Sequence, residues 1–170
     1  MEKRSGFKMG EDDLFLLGDE IKIGDKAPDF KTANRDMSEF NLSDIDATVK
    51  LLVAVPSLDT KVCELETIRF NQEADKLDDV RIVTISMDLP FAQERFCGQN
   101  GIDNIDVVSD YKYRDFGKKY GVLIDDLFLL NRSIFVLDEN NEVVYVEYVK
   151  QNTDHPDYDG ALEAAKKALN

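Results

Sequence analysis

The sequence predicts an α/β fold built on one mixed sheet with helices on its faces, and three observations carry that expectation. Residues 49–55 (VKLLVAV) and 80–87 (VRIVTISM) are β-rich and mostly apolar, as strands buried on both faces are. Each is followed by a stretch with helical spacing, and alternation of strand and helix leads to a largely parallel sheet. Near the C-terminus, two further strand-like runs flank Asp138-Glu139-Asn140-Asn141, a hairpin turn that adds an antiparallel edge. The chain has 170 residues, which suits a single domain over residues 1–170 with a substantial core.

The elements follow in order. Residues 7–24 hold short alternating segments broken by Gly10, Gly18 and Gly24, and predict an N-terminal β-hairpin. Ala27-Pro28-Asp29-Phe30 ends it, and residues 39–43 are a short strand or turn. Pro56 stops the first buried strand. A helix follows over about residues 61–77, with Val62, Leu65 and Ile68 on one side. After the second buried strand, Asp88 is a candidate N-cap and Pro90 stands at the first helical position. That helix, PFAQERFC, is expected to end at Gly98, so Cys97 falls near its C-terminus. Residues 106–109 are a short strand, and residues 113–120 a short helix closed by Gly121. Residues 133–137 and 143–149 form the terminal hairpin, and residues 159–169 an amphipathic helix.

Composition narrows the function. The net charge is −14, so phosphate backbones and anionic lipid surfaces repel the chain; neither nucleic acid nor membrane is an expected partner. No apolar run approaches the roughly 20 residues of a membrane span. The only early apolar run, residues 14–17, is shorter than the roughly 7–15 residues of a signal-peptide core. The expectation is a cytoplasmic protein. Two cysteines and one histidine cannot supply the four ligands of a structural zinc site, and no metal or other cofactor is expected. Cys63 and Cys97 are 34 positions apart, so CxxC dithiol chemistry is excluded.

Cys63 stands where chemistry is favoured. It follows a proline-led turn, at the first turn of a helix, where backbone N–H groups and the helix dipole converge. A thiolate is stabilised there, and the thiolate is the nucleophile. Asp59, Glu64 and Glu66 oppose it, so a reactive Cys63 needs a cation brought in by the fold. Lys61 and Arg69 are local candidates and Arg132 a distant one; spacing does not choose among them. Thr60 can cap the helix with its hydroxyl or meet a substrate oxygen beside Cys63. The bland alternatives are a packed cysteine, a plain cap and a surface ion pair. His155 would be required of a cysteine hydrolase, and no second signal supports that role.

Pro56, Thr60 and Cys63 have the spacing PxxxTxxC, which resembles the active-site motif of the peroxiredoxins. VPSLDTKVCELETIRFN, VTISMDLPFAQERFCGQNGIDN, the block from SDYKYRDFGKKYGV to VYVEYV, and GDKAPDF are similar to successive blocks of the bacterial thiol peroxidase branch. The resemblance covers nearly the whole chain. It implies a thioredoxin-like fold with an N-terminal hairpin extension. Cys63 matches the peroxidatic cysteine, Thr60 and Pro56 the residues that shape its pocket, and Arg132 the arginine that holds the thiolate. Cys97 matches the resolving cysteine, which forms an intramolecular disulfide with Cys63. The resemblance further implies a hydroperoxide substrate, recycling by thioredoxin and a homodimer. Its rival is a thioredoxin-fold redox sensor that does not turn over. Phe91 and residues 127–130 are placed near the site as an apolar surface for alkyl hydroperoxides. Both cysteines sit at helix ends, so the reduced and oxidised forms are expected to differ around residues 60–66 and 92–102.

Overall fold

The two apolar runs that define the fold lie side by side in the middle of a seven-stranded sheet. The computed structural model describes residues 1–170. Its strands are β1 (Lys3–Met9), β2 (Asp12–Leu17), β3 (Lys31–Ala33), β4 (Glu39–Asn41) and β5 (Val49–Ala54), followed by helix α1 (Lys61–Ala74). Then come β6 (Val80–Ser86), α2 (Pro90–Asn100), β7 (Asp106–Ser109), α3 (Asp115–Lys119) and β8 (Leu123–Ile124). The chain ends with β9 (Ser133–Leu137), β10 (Val143–Tyr148) and α4 (Tyr158–Ala168). The large sheet has the order β10-β9-β5-β6-β7-β3-β4, and a small one the order β1-β2-β8. β5, β6 and β7 run parallel, whereas β9 and β3 join them antiparallel. This is the mixed sheet that the alternation predicts, in the thioredoxin-like form that the resemblance implies.

The side-chain period of two splits the core. Leu52 and Ala54 of β5, with Val83 and Ile85 of β6, face Phe30, Phe116, Tyr120 and the N-terminal hairpin. Val49, Leu51 and Val53 point the other way, with Ile82, Ile134 and Val136. Against that second face pack Phe70 of α1, Phe96 of α2, and Ala161, Leu162 and Ala165 of α4. Cys63 and Cys97 belong to this same apolar cluster.

Several boundaries differ from expectation for local reasons. The hairpin occupies Lys3–Leu17 rather than residues 7–24, with its turn at Gly10 and Glu11. Gly18 ends it in a left-handed conformation (φ +99). α2 runs three residues past Cys97, to Asn100, and Gly101 closes it at φ 63; left-handed glycine is a common helix stop. Leu89, not Asp88, is its N-cap, because the Asp88 carboxylate is engaged elsewhere. α1 stops at Ala74 and α3 spans five residues. The three-residue β3 and two-residue β8 were not foreseen; segments this short carry no readable period.

Candidate active site

Three side chains build the turn between β5 and α1. Pro56 is buried and ends β5. Asp88 accepts hydrogen bonds from the Ser57 hydroxyl (2.7 Å), the Leu58 N–H (2.8 Å) and the Ser86 hydroxyl (2.7 Å). It therefore ties the turn to the end of β6. Thr60 is the N-cap of α1 in extended backbone (φ −97, ψ 148). Its carbonyl accepts the Glu64 N–H at 2.9 Å. Its hydroxyl does not cap the helix, contrary to one expectation. It donates to the Ser57 carbonyl at 2.9 Å, closing the turn. The oxygen lone pairs of Thr60 remain available as acceptors.

Cys63 lies in the first turn of this helix with no exposed surface. Of the three candidate cations, Arg132 is the one that meets it. The Arg132 Nη2 donates to Cys63 Sγ at 3.2 Å. Lys61 is exposed, and Arg69 pairs with Asp159 (3.2 Å) and lies over the Tyr158 ring. Arg132 is 2% exposed and held from three sides. Its backbone N–H donates to Asn152 Oδ1 (2.7 Å), its Nε to the Asn152 carbonyl (3.0 Å), and its Nη1 to Glu66 Oε2. A guanidinium has five N–H groups, so these contacts and the one to Cys63 leave two free. Burial works against the Arg132 charge, and Glu66 and Cys63 more than offset it. Burial likewise pushes the Glu66 carboxyl up, with Arg132 pulling against it.

Glu66 and Asn152 are the residues that sequence reasoning missed. Glu66 was counted among the carboxylates opposing a thiolate; instead it stands three residues after Cys63, on the same helical face, and fixes the arginine. Its signal was this spacing. Asn152, in a polar loop, had no signal.

A cavity of about 250 Å³ opens onto this group. Met9, Pro56, Thr60, Lys61, Val62, Arg132, Asn152 and Thr153 line it. Arg132 thus belongs both to the cavity and to the thiol. The expected apolar neighbours are not here: Phe91 (69% exposed) and Leu127 (48%) lie on the surface, Phe128 stacks with Arg114, and Leu130 is buried in the opposite core cluster. The end of β1 and the first turn of α1 supply the apolar side chains, Met9 and Val62. His155 is exposed, and its Nδ1 engages the Tyr158 hydroxyl at 2.7 Å rather than Cys63.

Cys97 is also a free thiol, 2% exposed, in the last turn of α2. Its carbonyl accepts the Ile102 N–H (3.0 Å). It stands on a different helix from Cys63, within the same apolar cluster.

Fold and site together define a thiol-redox protein of the thioredoxin-like class. The redoxin family profile matches residues 22–162. The chain is 53% identical over 156 residues to the thiol peroxidase of Oceanobacillus iheyensis, across 92% of this chain and 95% of that one. It is 52% identical over 151 residues to the thiol peroxidase of Bacillus subtilis, across 89% and 90%. A solved structure of a peroxiredoxin-like protein from Aquifex aeolicus aligns with a TM-score of 0.90 at 38% identity, covering 99% of each chain. The chain belongs to the redoxin family, in the thiol peroxidase branch of the peroxiredoxins.

Proposed function

We propose that this thiol-dependent peroxidase reduces hydrogen peroxide and organic hydroperoxides at Cys63 through a sulfenic acid and a disulfide with Cys97. A peroxide enters the cavity lined by Thr60 and Arg132. With its own proton committed to Ser57, the Thr60 hydroxyl accepts the peroxide O–H. The Cys63 thiolate attacks the nearer oxygen, an S–O bond forms, and the O–O bond breaks. The leaving oxygen takes the peroxide's proton and departs as water or an alcohol, and the sulfenate left on Cys63 takes a proton from solvent. The charge developing on the leaving oxygen is met by the two free N–H groups of Arg132 and by N–H groups of the first turn of α1, which have no intrahelical partner. Pro56 holds the turn that shapes this pocket.

Cys63 is then a sulfenic acid. The Cys97 thiolate attacks its sulfur, an S–S bond forms, and the hydroxyl group leaves as water. A dithiol such as thioredoxin reopens the disulfide by exchange, the Cys63–Cys97 pair being reduced and the dithiol oxidised. The working form is a homodimer, as the family resemblance implies.

The contact between Arg132 and Cys63 carries this reading, since a buried cation on a buried sulfur has no packing rationale. The test is a thiol count and non-reducing peptide map after one equivalent of hydroperoxide, on wild type, Cys63→Ser and Cys97→Ser. The expected result is a 63–97 disulfide in wild type, a sulfenic acid in Cys97→Ser and no reaction in Cys63→Ser. A Cys63 that survives excess peroxide in the folded protein overturns the proposal. Oxidation without turnover in the presence of thioredoxin and its reductase supports the sensor reading instead.

A further inference from the structure

We propose that the cavity beside Cys63 favours hydroperoxides that carry negative charge, namely short alkyl hydroperoxides ending in a carboxylate, and that Lys61 is the residue that selects them. The inference rests on Cys63 being the cysteine that reduces peroxide. It goes beyond that reading in naming a substrate class and the side chain that recognises it.

Three observations meet in this cavity. The first is its charge. Of the 8 residues that line it, Lys61 and Arg132 are cations and none is a carboxylate, in a chain with 35 Asp and Glu residues and a net charge of −14. Asp59, Glu64 and Asp154 stand close to lining residues along the chain, yet none of them lines the cavity. A chain this acidic repels anions as a whole, so the cavity is a local reversal. The second observation is which polar groups are left unspent. Arg132 is committed to Glu66, Cys63 and Asn152. Lys61 takes part in no salt bridge. Asn152 is 1% exposed. Its Oδ1 accepts the Arg132 backbone N–H at 2.7 Å, which leaves the amide nitrogen on the other branch, and that Nδ2 is buried with no partner. Lys61 and Val62 begin α1, so their N–H groups have no intrahelical acceptor. These unspent groups are all donors.

The third observation is size. The cavity measures about 250 Å³, whereas a water takes up about 30 Å³ of liquid. Hydrogen peroxide, with two such oxygens, leaves most of the space empty. A short organic hydroperoxide fills it, and the groups present fit its parts. The –OOH group takes Thr60 and the free N–H groups of Arg132 beside the sulfur. The alkyl segment meets Met9, Pro56 and Val62. The carboxylate reaches the ammonium of Lys61, which is exposed and so stands at the mouth, with the helix N-terminus behind it. Because Lys61 and Arg132 line one cavity, only a few carbons separate the two ends of the substrate. The carboxylate takes no part in the bond changes: the S–O bond forms, the O–O bond breaks, and the product alcohol departs with its carboxylate intact.

The test measures the rate of Cys63 thiol loss in a single turnover, by quenched flow and mass spectrometry. The probes are a short tertiary alkyl hydroperoxide ending in a carboxylate and its methyl ester, with hydrogen peroxide alongside. The ratio of acid rate to ester rate within one protein cancels any effect of a substitution on the thiolate itself. The proteins are wild type, Lys61→Met, Lys61→Glu and Lys166→Met, the last removing the same charge from an exposed position on α4. Wild type is expected to favour the acid about two- to fivefold, and added salt to shrink that preference. Lys61→Met brings the two rates close together, Lys61→Glu inverts their order, and Lys166→Met leaves the ratio as it is. Equal rates for acid and ester, or no reaction with either, in a wild type that hydrogen peroxide does oxidise overturns the inference. So does a ratio that neither Lys61 substitution moves, or one that Lys166→Met lowers as much as Lys61→Met, which marks the field of the whole chain rather than a contact. If Cys63 of wild type survives hydrogen peroxide as well as both probes, the peroxidase reading falls and this inference with it; the other outcomes leave that reading standing.

Discussion

At Arg132, one side chain is asked to satisfy two buried partners of different kinds. Toward Glu66 it is half of an ion pair with almost no exposure on either side. Toward Cys63 it is a hydrogen-bond donor. Removing it therefore has two consequences that a second substitution can separate. Arg132→Met leaves the Glu66 carboxylate buried without a cation, which costs about 3–5 kcal/mol of stability. On the proposed mechanism it also removes the donors that meet the leaving oxygen, and kcat/KM for hydroperoxide is expected to fall by about a hundredfold or more. Adding Glu66→Leu removes the stranded charge, so the double variant is expected to regain stability in urea unfolding while staying inactive. If the double variant regains activity too, Arg132 acts only through folding. The same residue explains why sequence reasoning mistook Glu66. A carboxylate three positions from a thiolate reads as an opponent when charges are counted along the chain. It becomes a support once the chain just before β9, 66 positions away, brings an arginine to both of them.

Among the elements, the N-terminal hairpin reaches the site through two backbone hydrogen bonds, a reciprocal pair between Gly10 and the Gln151 side chain, and one side chain. Lys8 N donates to the Lys150 carbonyl (2.8 Å), and Asn152 N donates to the Lys8 carbonyl (2.7 Å). The hairpin thereby fixes the segment whose Asn152 holds Arg132, and Met9 at its tip lines the cavity. Asn152→Ala leaves the buried Arg132 N–H without its acceptor, a loss of about 1–3 kcal/mol. Because Arg132 is then less well aimed, kcat/KM for peroxide should drop about tenfold, whereas the rate of 63–97 disulfide formation should not change. Stopped-flow measurement of the two steps checks this, and a loss confined to the second step would contradict it. The central strands and the helix starts were legible because long apolar runs and Pro56 and Pro90 leave strong marks. The hairpin was legible as a hairpin but not in its bounds, since its glycines break the pattern at more places than one turn needs. Its link to Arg132 was not legible at all, because backbone hydrogen bonds to residues 150–152 depend on tertiary docking and not on side-chain type. Among the site residues, Pro56, Thr60, Cys63 and Arg132 were found through a motif and a resemblance. The role of Thr60 as a turn-closing donor appeared only with the geometry.

In the molecule as a whole, the proposed mechanism makes the reduced fold one half of a cycle. Both thiols are free, both are buried, and both belong to the cluster between the sheet and α1, α2 and α4. A disulfide requires Cα atoms within about 7 Å and a specific dihedral, while Cys63 and Cys97 are each locked inside a helical turn. α2 is further latched to α1: Asn71 accepts from the N–H groups of Asp103 (3.2 Å) and Asn104 (2.8 Å) and donates to the Gly101 carbonyl (3.3 Å). The latch holds the chain just after Cys97 to the helix that carries Cys63. Unless the two Cα atoms already stand that close, forming the bond unwinds the first turn of α1 or the last turns of α2, while β5, β6 and β9, buried on both faces, have no reason to move. Hydrogen exchange compared between the reduced and oxidised proteins should show protection lost in residues 60–66 and 92–102 on oxidation and retained in the three strands. Asn71→Ala, measured in the reduced state, should raise exchange around residues 97–104 alone, because local opening draws on the least stable contacts first. Equal protection of both segments in the two redox states would mean that the helices accommodate the disulfide as they stand, and the cycle would then need no opening step. Protection lost across β5 and β6 as well would mean that the core itself, not the helix ends, yields to the bond.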